Sequence, residues 1–174
     1  MNEELQHALA RKATPIAEVI GYGTTADAYN VTSGPENGEG AARAMQLALR
    51  QAGLAPGDGQ HLNAHSTSNP VGDSSELEAI KAVFGRDRQI AVSATKSATG
   101  HLLRAAGGLE AIFTILTLRD QIAPPSLNLE NPDPLADGVD LVGGEAWHLP
   151  ITHAISNSLG FNGVNASVIL RRCS

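Results

Sequence analysis

Three times along this chain a short apolar segment runs straight into a loop rich in hydroxyl, amide or glycine residues. Residues 60–64 lead into His65-Ser66-Thr67-Ser68-Asn69-Pro70-Val71-Gly72-Asp73, and residues 89–94 lead into Thr95-Lys96-Ser97-Ala98-Thr99-Gly100-His101. Residues 151–156 come just before Leu159-Gly160-Phe161-Asn162-Gly163, and residues 165–170 follow it as a further strand. The apolar runs are strand-sized, and helical patterns follow the first two loops. That order belongs to an α/β protein, in which ligands sit beyond the carboxyl ends of the strands. Ser, Thr and Asn in such loops also serve simply to hold the backbone, so the residues alone leave both uses open.

The rest of the chain fits this class. Residues 1–10 and 41–52 have apolar positions at helical spacing, with Gly53 placed to stop the second helix. Asp73 or Ser74 is placed to cap a helix running through Phe84. Residues 15–22 read as a strand, residues 23–40 and 124–134 as irregular connections, and residues 139–142 as a short strand. The helix over residues 102–118 carries apolar residues around nearly its whole circumference, which predicts burial on several sides. With 3% aromatic residues in 174, the core has to be built from Ala, Leu, Ile and Val.

Charge and termini exclude several functions. The net charge of -6, with only 12 Lys and Arg and no dense basic run, makes free nucleic acid a poor partner. Glu3, Glu4 and Gln6 stand where a signal peptide needs a basic and then an apolar segment, and Arg104 and Thr114 interrupt the longest apolar stretch. A cytoplasmic protein without a membrane span is expected. Cys173 is the only cysteine, so an intrachain disulfide is excluded, and it reads as a surface residue at a frayed terminus.

Two other chemistries can be weighed on spacing. His61 and His65 can share one side of an extended segment, but no third and fourth metal ligands follow, and no metal site is expected. Ser66 or Ser68 with His65 and Asp73 would make a serine hydrolase, yet no nucleophile-elbow pattern is present.

Taken together, Asn63-Ala64-His65-x-Thr67-Ser68-x-Pro70-x-Gly72-Asp73, Thr95-Lys96-Ser97-x-x-Gly100-His101 and Asn157-Ser158-x-Gly160-Phe161-x-Gly163-x-Asn165-Ala166-Ser167 resemble the carboxyl-terminal half of the β-ketoacyl-[acyl-carrier-protein] synthases, especially the elongating type II enzymes. The resemblance begins near residues 16–22, continues through Asp27-Ala28-Tyr29 and covers practically the whole chain. It implies a thiolase-like α/β fold: one carboxyl-terminal half-domain over residues 1–174, with a mixed sheet and a largely buried helix. The amino-terminal half, with its nucleophilic cysteine, has no counterpart in the sequence. Members of the family usually form homodimers. They condense an acyl thioester with malonyl-carrier protein in fatty-acid elongation, and the substrate rides on the phosphopantetheine of acyl carrier protein rather than on a bound cofactor.

By the same resemblance, His65, Lys96 and His101 are the catalytic candidates, with Glu76 as the acidic partner of Lys96. Phe161 is the gating phenylalanine, and Thr67 and Asn69 meet the phosphopantetheine arm. The sequence departs from the family pattern at Ser66, Arg104 and Asn162, each replacing glycine, at Val164, replacing threonine, and at Asn69, replacing a second threonine. Ser66 and Asn162 are expected to crowd the backbone, and Arg104 to need a counter-ion or solvent. The chain alone is expected to be incomplete for condensation. The competing reading is a non-catalytic structural or interaction half of a condensing-enzyme-like complex.

Overall fold

The computed structural model describes residues 2–87 and 90–173. In chain order its helices and strands are α1 (Leu5–Ala10), β1 (Ala17–Ala26), α2 (Glu39–Ala52), β2 (His61–Asn63), α3 (Pro70–Phe84), β3 (Ala91–Ser93), α4 (Lys96–Thr99), α5 (Ala106–Asp120), β4 (Ile122–Ala123), β5 (Asp140–Leu141), β6 (Trp147–His148), β7 (His153–Gly160) and β8 (Val164–Arg172). Met1 and Gln89, included in two of the predicted elements, lie outside the described residues.

A six-stranded sheet in the order β1, β8, β7, β2, β3, β5 holds the molecule together, and β4 pairs with β6 in a separate ribbon. The three strands β2, β3 and β5 run parallel to β7, whereas β1 and β7 both run antiparallel to β8. Every residue of β2 and β3 is buried, as expected of parallel strands covered on both faces. Successive strand residues point to opposite faces, so Ile155 and Ile169 join one core layer while Ala154 and Leu170 join the other. Helices α2 and α3 close the first layer with Met45, Ala48, Leu49, Ile80 and Phe84; Leu118 of α5 contributes to the second, with Val142 and Ile151.

Several boundaries differ from the sequence expectation, and β7 runs past the expected end at Ser156 to Gly160. Helix α3 begins at Pro70 rather than after Asp73, because Asn69 is its N-cap: Oδ1 accepts from the N–H groups of Val71 and Gly72, both at 3.1 Å. Strand β1 continues through Gly21 and Gly23 to Ala26. Those glycines are there for helix approach: a Cβ on Gly23 would run into the Ala44 carbonyl of α2. The Lys96 loop contains the one-turn helix α4. The fourth helical pattern starts late, since Leu103–Ala105 form a 3-10 turn and α5 begins at Ala106.

The largely buried helix is α5, along which only Gly108, Ile112, Arg119 and Asp120 are exposed. Its deepest side is partly polar, comprising Ala106, Glu110, Thr114, Thr117 and Leu118. Replacing Gly23 with alanine should cost about 1–3 kcal/mol in chemical denaturation, because α2 would have to shift off the sheet. An unchanged midpoint would show that β1 and α2 are not in rigid contact.

Candidate active site

The sheet explains why the three polar loops meet. Asn63 at the end of β2 pairs with Ser93 of β3 on one side and with Ser156 of β7 on the other, so all three strands point their carboxyl ends to one edge. Strand β1 also ends at that edge and delivers Asp27, whose N–H donates to the Gly163 carbonyl at 2.9 Å. An open cleft of about 1110 Å³ lies there, lined by His65, Thr67, Asn69, Glu76, His101 and Phe161 among others. Lys96 is not on its wall.

The rings of His65 and His101 meet edge to face, with centroids 5.3 Å apart. Burial pushes the His65 imidazole down to about 3, helped by the positive charge of Lys96 and by His101. His65 is therefore neutral at physiological pH and can donate from one nitrogen only. Nδ1 of His65 is buried without a hydrogen-bond partner among the described residues. No neighbour fixes its tautomer, contrary to the simplest expectation for such a ring.

Glu76 does something other than pair with Lys96. Its Oε1 accepts from the His65 N–H at 2.9 Å and from Asn157 Nδ2 at 3.1 Å, and its Oε2 accepts from the Ser66 N–H at 2.8 Å. Burial raises its carboxyl, opposed by those three donors and by the charge of Lys96. The ion-pair partner of Lys96 is Glu110 of α5, and both side chains are almost fully buried. Desolvation likewise raises Glu110, against the pull of Lys96. The predicted pairing was wrong because two carboxylates flank Lys96 in sequence and only the fold chooses between them. The signal for Glu110 was available: a lone charge inside an apolar helix needs a buried partner.

The remaining candidates are placed as follows. Thr67 lies on the cleft wall, and its N–H donates to Asp73 Oδ1 at 3.1 Å. Asp73 is thus spent on the loop and makes no hydrogen bond with His65, which leaves the hydrolase arrangement unformed. Asn69 lines the cleft, but its Oδ1 is committed to the α3 cap, which leaves only its amide N–H₂ for a ligand. Phe161 is 73% exposed, so its ring is no core plug.

The departures from the family pattern are accommodated locally. Asn162 has φ 62° and its N–H donates to the Val31 carbonyl at 2.7 Å; asparagine tolerates this left-handed region better than most residues. In the first loop the left-handed residue is Ser68, not Ser66. Arg104 is exposed at the cleft, and solvent answers its charge. Cys173 is not frayed, because its N–H donates to the Ile16 carbonyl at 3.1 Å.

His61 points into the core rather than toward His65's cleft. It is 0% exposed, and its Nε2 lies 2.9 Å from Ser93 Oγ. The Ser93 hydroxyl proton goes to the Pro124 carbonyl, so His61 Nε2 is the donor and Nδ1 is left bare and unpartnered. Burial pushes this ring down to about 4. Because the folded value is depressed, the neutral ring favours the fold above pH 6.5, and that contribution is lost as pH falls toward 4. Wild type should lose about 3 kcal/mol more than His61→Gln between pH 7 and pH 4, from this group alone. Parallel stability curves for the two proteins would contradict it.

Three further residues organise the site; all stand in the motifs quoted from the sequence, where no role is assigned to them. Asn157 is fully buried between Glu76 and the Ser167 hydroxyl. Asp27 accepts from Asn165 Nδ2 at 2.7 Å and so ties the end of β1 to the Phe161 turn. Asn63 links Thr95, just past β3, to the Glu110 carbonyl of α5. Among the described residues no group of three His, Cys, Asp or Glu side chains could hold a metal ion, and no helix is long and apolar enough to cross a membrane.

A parallel-edged mixed sheet with helices on both faces, and two facing histidines backed by a buried lysine–carboxylate pair, defines a thiolase-like half-domain. Residues 16–130 match the family described as beta-ketoacyl synthase, C-terminal domain, and the chain belongs to that family. It is 51% identical over 171 residues to 3-oxoacyl-[acyl-carrier-protein] synthase 2 of Staphylococcus aureus (strain COL), covering 98% of this chain and 41% of that protein. Its fold superposes at a TM-score of 0.94 and 33% identity on a type II PKS ketosynthase solved with its acyl-carrier protein and bound to the hexaketide. There the match covers 99% of this chain and 42% of the other. A beta-ketoacyl synthase from Burkholderia phymatum STM815 gives a TM-score of 0.92 at 38% identity, over 99% of this chain and 41% of that one. The chain thus spans about two fifths of the length of these relatives.

Proposed function

We propose that this chain is the condensing half-site of a cytoplasmic 3-oxoacyl-[acyl-carrier-protein] synthase, an acyltransferase of fatty-acid elongation. In this reading it works with an amino-terminal half that supplies the nucleophilic cysteine, within a homodimeric assembly that takes its substrates from acyl carrier protein. One observation carries the reading: two imidazoles 5.3 Å apart face one cleft, and burial holds His65 neutral.

Two imidazole rings facing one cleft suit a thioester oxygen that becomes an enolate. As the malonyl carboxylate leaves as carbon dioxide, the electrons of the broken carbon–carbon bond move onto that oxygen, and His65 and His101 stabilise the charge. The resulting carbanion attacks the acyl thioester carbonyl and expels the cysteine thiolate. Burial keeps His65 neutral, and the positive charge of Lys96 adds to that effect. Glu76 fixes the backbone of His65. Thr67 and the amide of Asn69 receive the phosphopantetheine arm, and Phe161 gates the acyl-cysteine.

The test is carbon dioxide release from malonyl-carrier protein by this chain alone and after mixing with a first-half condensing domain, with chain elongation measured separately. Release only after mixing is expected. Carrier binding without release, in a complex shown to be folded, would favour a structural half instead.

A further inference from the structure

We propose that Asn63 is a positioning residue that sets the spacing between the His65 loop and the buried Lys96–Glu110 pair. Asn63 is 1% exposed at the last position of β2, two residues before His65. Its Oδ1 accepts from the Thr95 hydroxyl at 3.0 Å, and Thr95 immediately precedes Lys96. Its Nδ2 donates to the backbone carbonyl of Glu110 at 3.4 Å. One short side chain therefore touches the segments that carry all three groups.

The orientation of this amide is determined by chemistry. The Glu110 carbonyl can only accept, so the N–H₂ group has to face it, and the oxygen has to face Thr95. Aspartate is nearly isosteric but would set an oxygen against that carbonyl. It would also add a carboxylate beside Glu76 and Glu110, which already outnumber Lys96. Alanine is the milder change, because the Glu110 carbonyl keeps a donor in the Thr114 hydroxyl at 2.8 Å. What alanine removes is the link between the two loops.

Parallel strands do not provide that link themselves. The ladder between β2 and β3 ends at the Asn63–Ser93 pair, and beyond it, among the described residues, the backbone tie is the Ala64 N–H to the Ser93 carbonyl at 2.8 Å. Lys96 and His65 both lie past this point. Displacements on the order of 1 Å in such groups can cost about 10²-fold in rate.

Amide hydrogen exchange in the chain itself tests the geometry without any assumption about activity. Asn63→Ala should speed exchange of the Ala98 and Gly100 N–H groups, which bond to the Thr95 and Lys96 carbonyls, by about tenfold or more. The Gly85 and Gln121 amides, at the ends of α3 and α5, should not change. Thr95→Val should produce the same local effect, and adding Asn63→Ala to it should add little. Equal acceleration at all four amides, no acceleration at Ala98 and Gly100, or full additivity of the two substitutions would each overturn the proposal.

The catalytic consequence rests on the condensing-half reading above. In the mixed enzyme, Asn63→Ala should lower kcat for decarboxylation by about 10–100-fold with KM within about twofold. If wild type releases no carbon dioxide, the functional reading fails while the exchange result still decides the role of Asn63. A normal kcat alongside altered exchange would overturn the catalytic part of the proposal.

Discussion

Replacing either His65 or His101 with alanine, in the chain mixed with a first-half condensing domain, is expected to lower malonyl decarboxylation by about 10²–10³-fold. In the proposed condensing half-site each substitution removes one of the two donors offered to the developing oxyanion. Carrier-protein binding should change little, because in the proposed function the arm is held by Thr67 and Asn69, elsewhere on the cleft wall. The stability of the chain should hold too, since neither ring makes a hydrogen bond that closes the core, and His65 is fixed through its backbone by Glu76. Steady-state kinetics on folded variants reads this directly. A loss below about fivefold for both would remove the histidine pair from the chemistry. The pH profile adds a second check, because a ring titrating near 3 stays neutral across the working range. No acid limb between pH 5 and 7 should therefore trace to His65.

How much of this was legible in the sequence depended on the range of the interaction. The three strand-to-loop junctions could be read because each is local: a buried parallel strand is a short apolar run, and its polar successor marks the edge. The family motifs then brought His65, His101 and Phe161 to one cleft. The start of α3 was misread because Asn69 was assigned to a ligand, although Asn-Pro is also a capping signal, and here its carbonyl oxygen caps the helix. Gly23 reads as the start of an irregular connection, yet it lies within a strand, where its lack of a side chain lets α2 approach. The choice of Glu110 over Glu76 by Lys96 could not be read from spacing, since both are near enough and the decision belongs to how α5 crosses the sheet. The same holds for Asn63, whose partners lie 32 and 47 residues along the chain.

The buried pair should dominate the stability of the site. Lys96 and Glu110 are 4% and 3% exposed at their side chains, and Glu76 is buried close enough to feel the same cation. Removing the ammonium leaves two carboxylates in a poorly solvated place, and breaking such a pair typically costs about 3–5 kcal/mol. Lys96→Met is therefore expected to lower unfolding stability by that amount near pH 8. The cost should shrink at lower pH. Both carboxyls already have raised values in the fold, and losing Lys96 raises them further. A group with a raised folded value favours the fold below its unfolded value and loses that contribution as pH rises. Urea denaturation at pH 5 and pH 8 should show a distinctly smaller deficit at pH 5. The same variant should raise the His65 value from about 3, because one of the charges that depress it is gone. A proton-detected titration of the His65 ring would register that shift even if activity were already lost. A deficit under about 1 kcal/mol at pH 8, or one independent of pH, would mean that the pair is solvated or already protonated, and that Lys96 adds nothing to the burial that keeps His65 neutral.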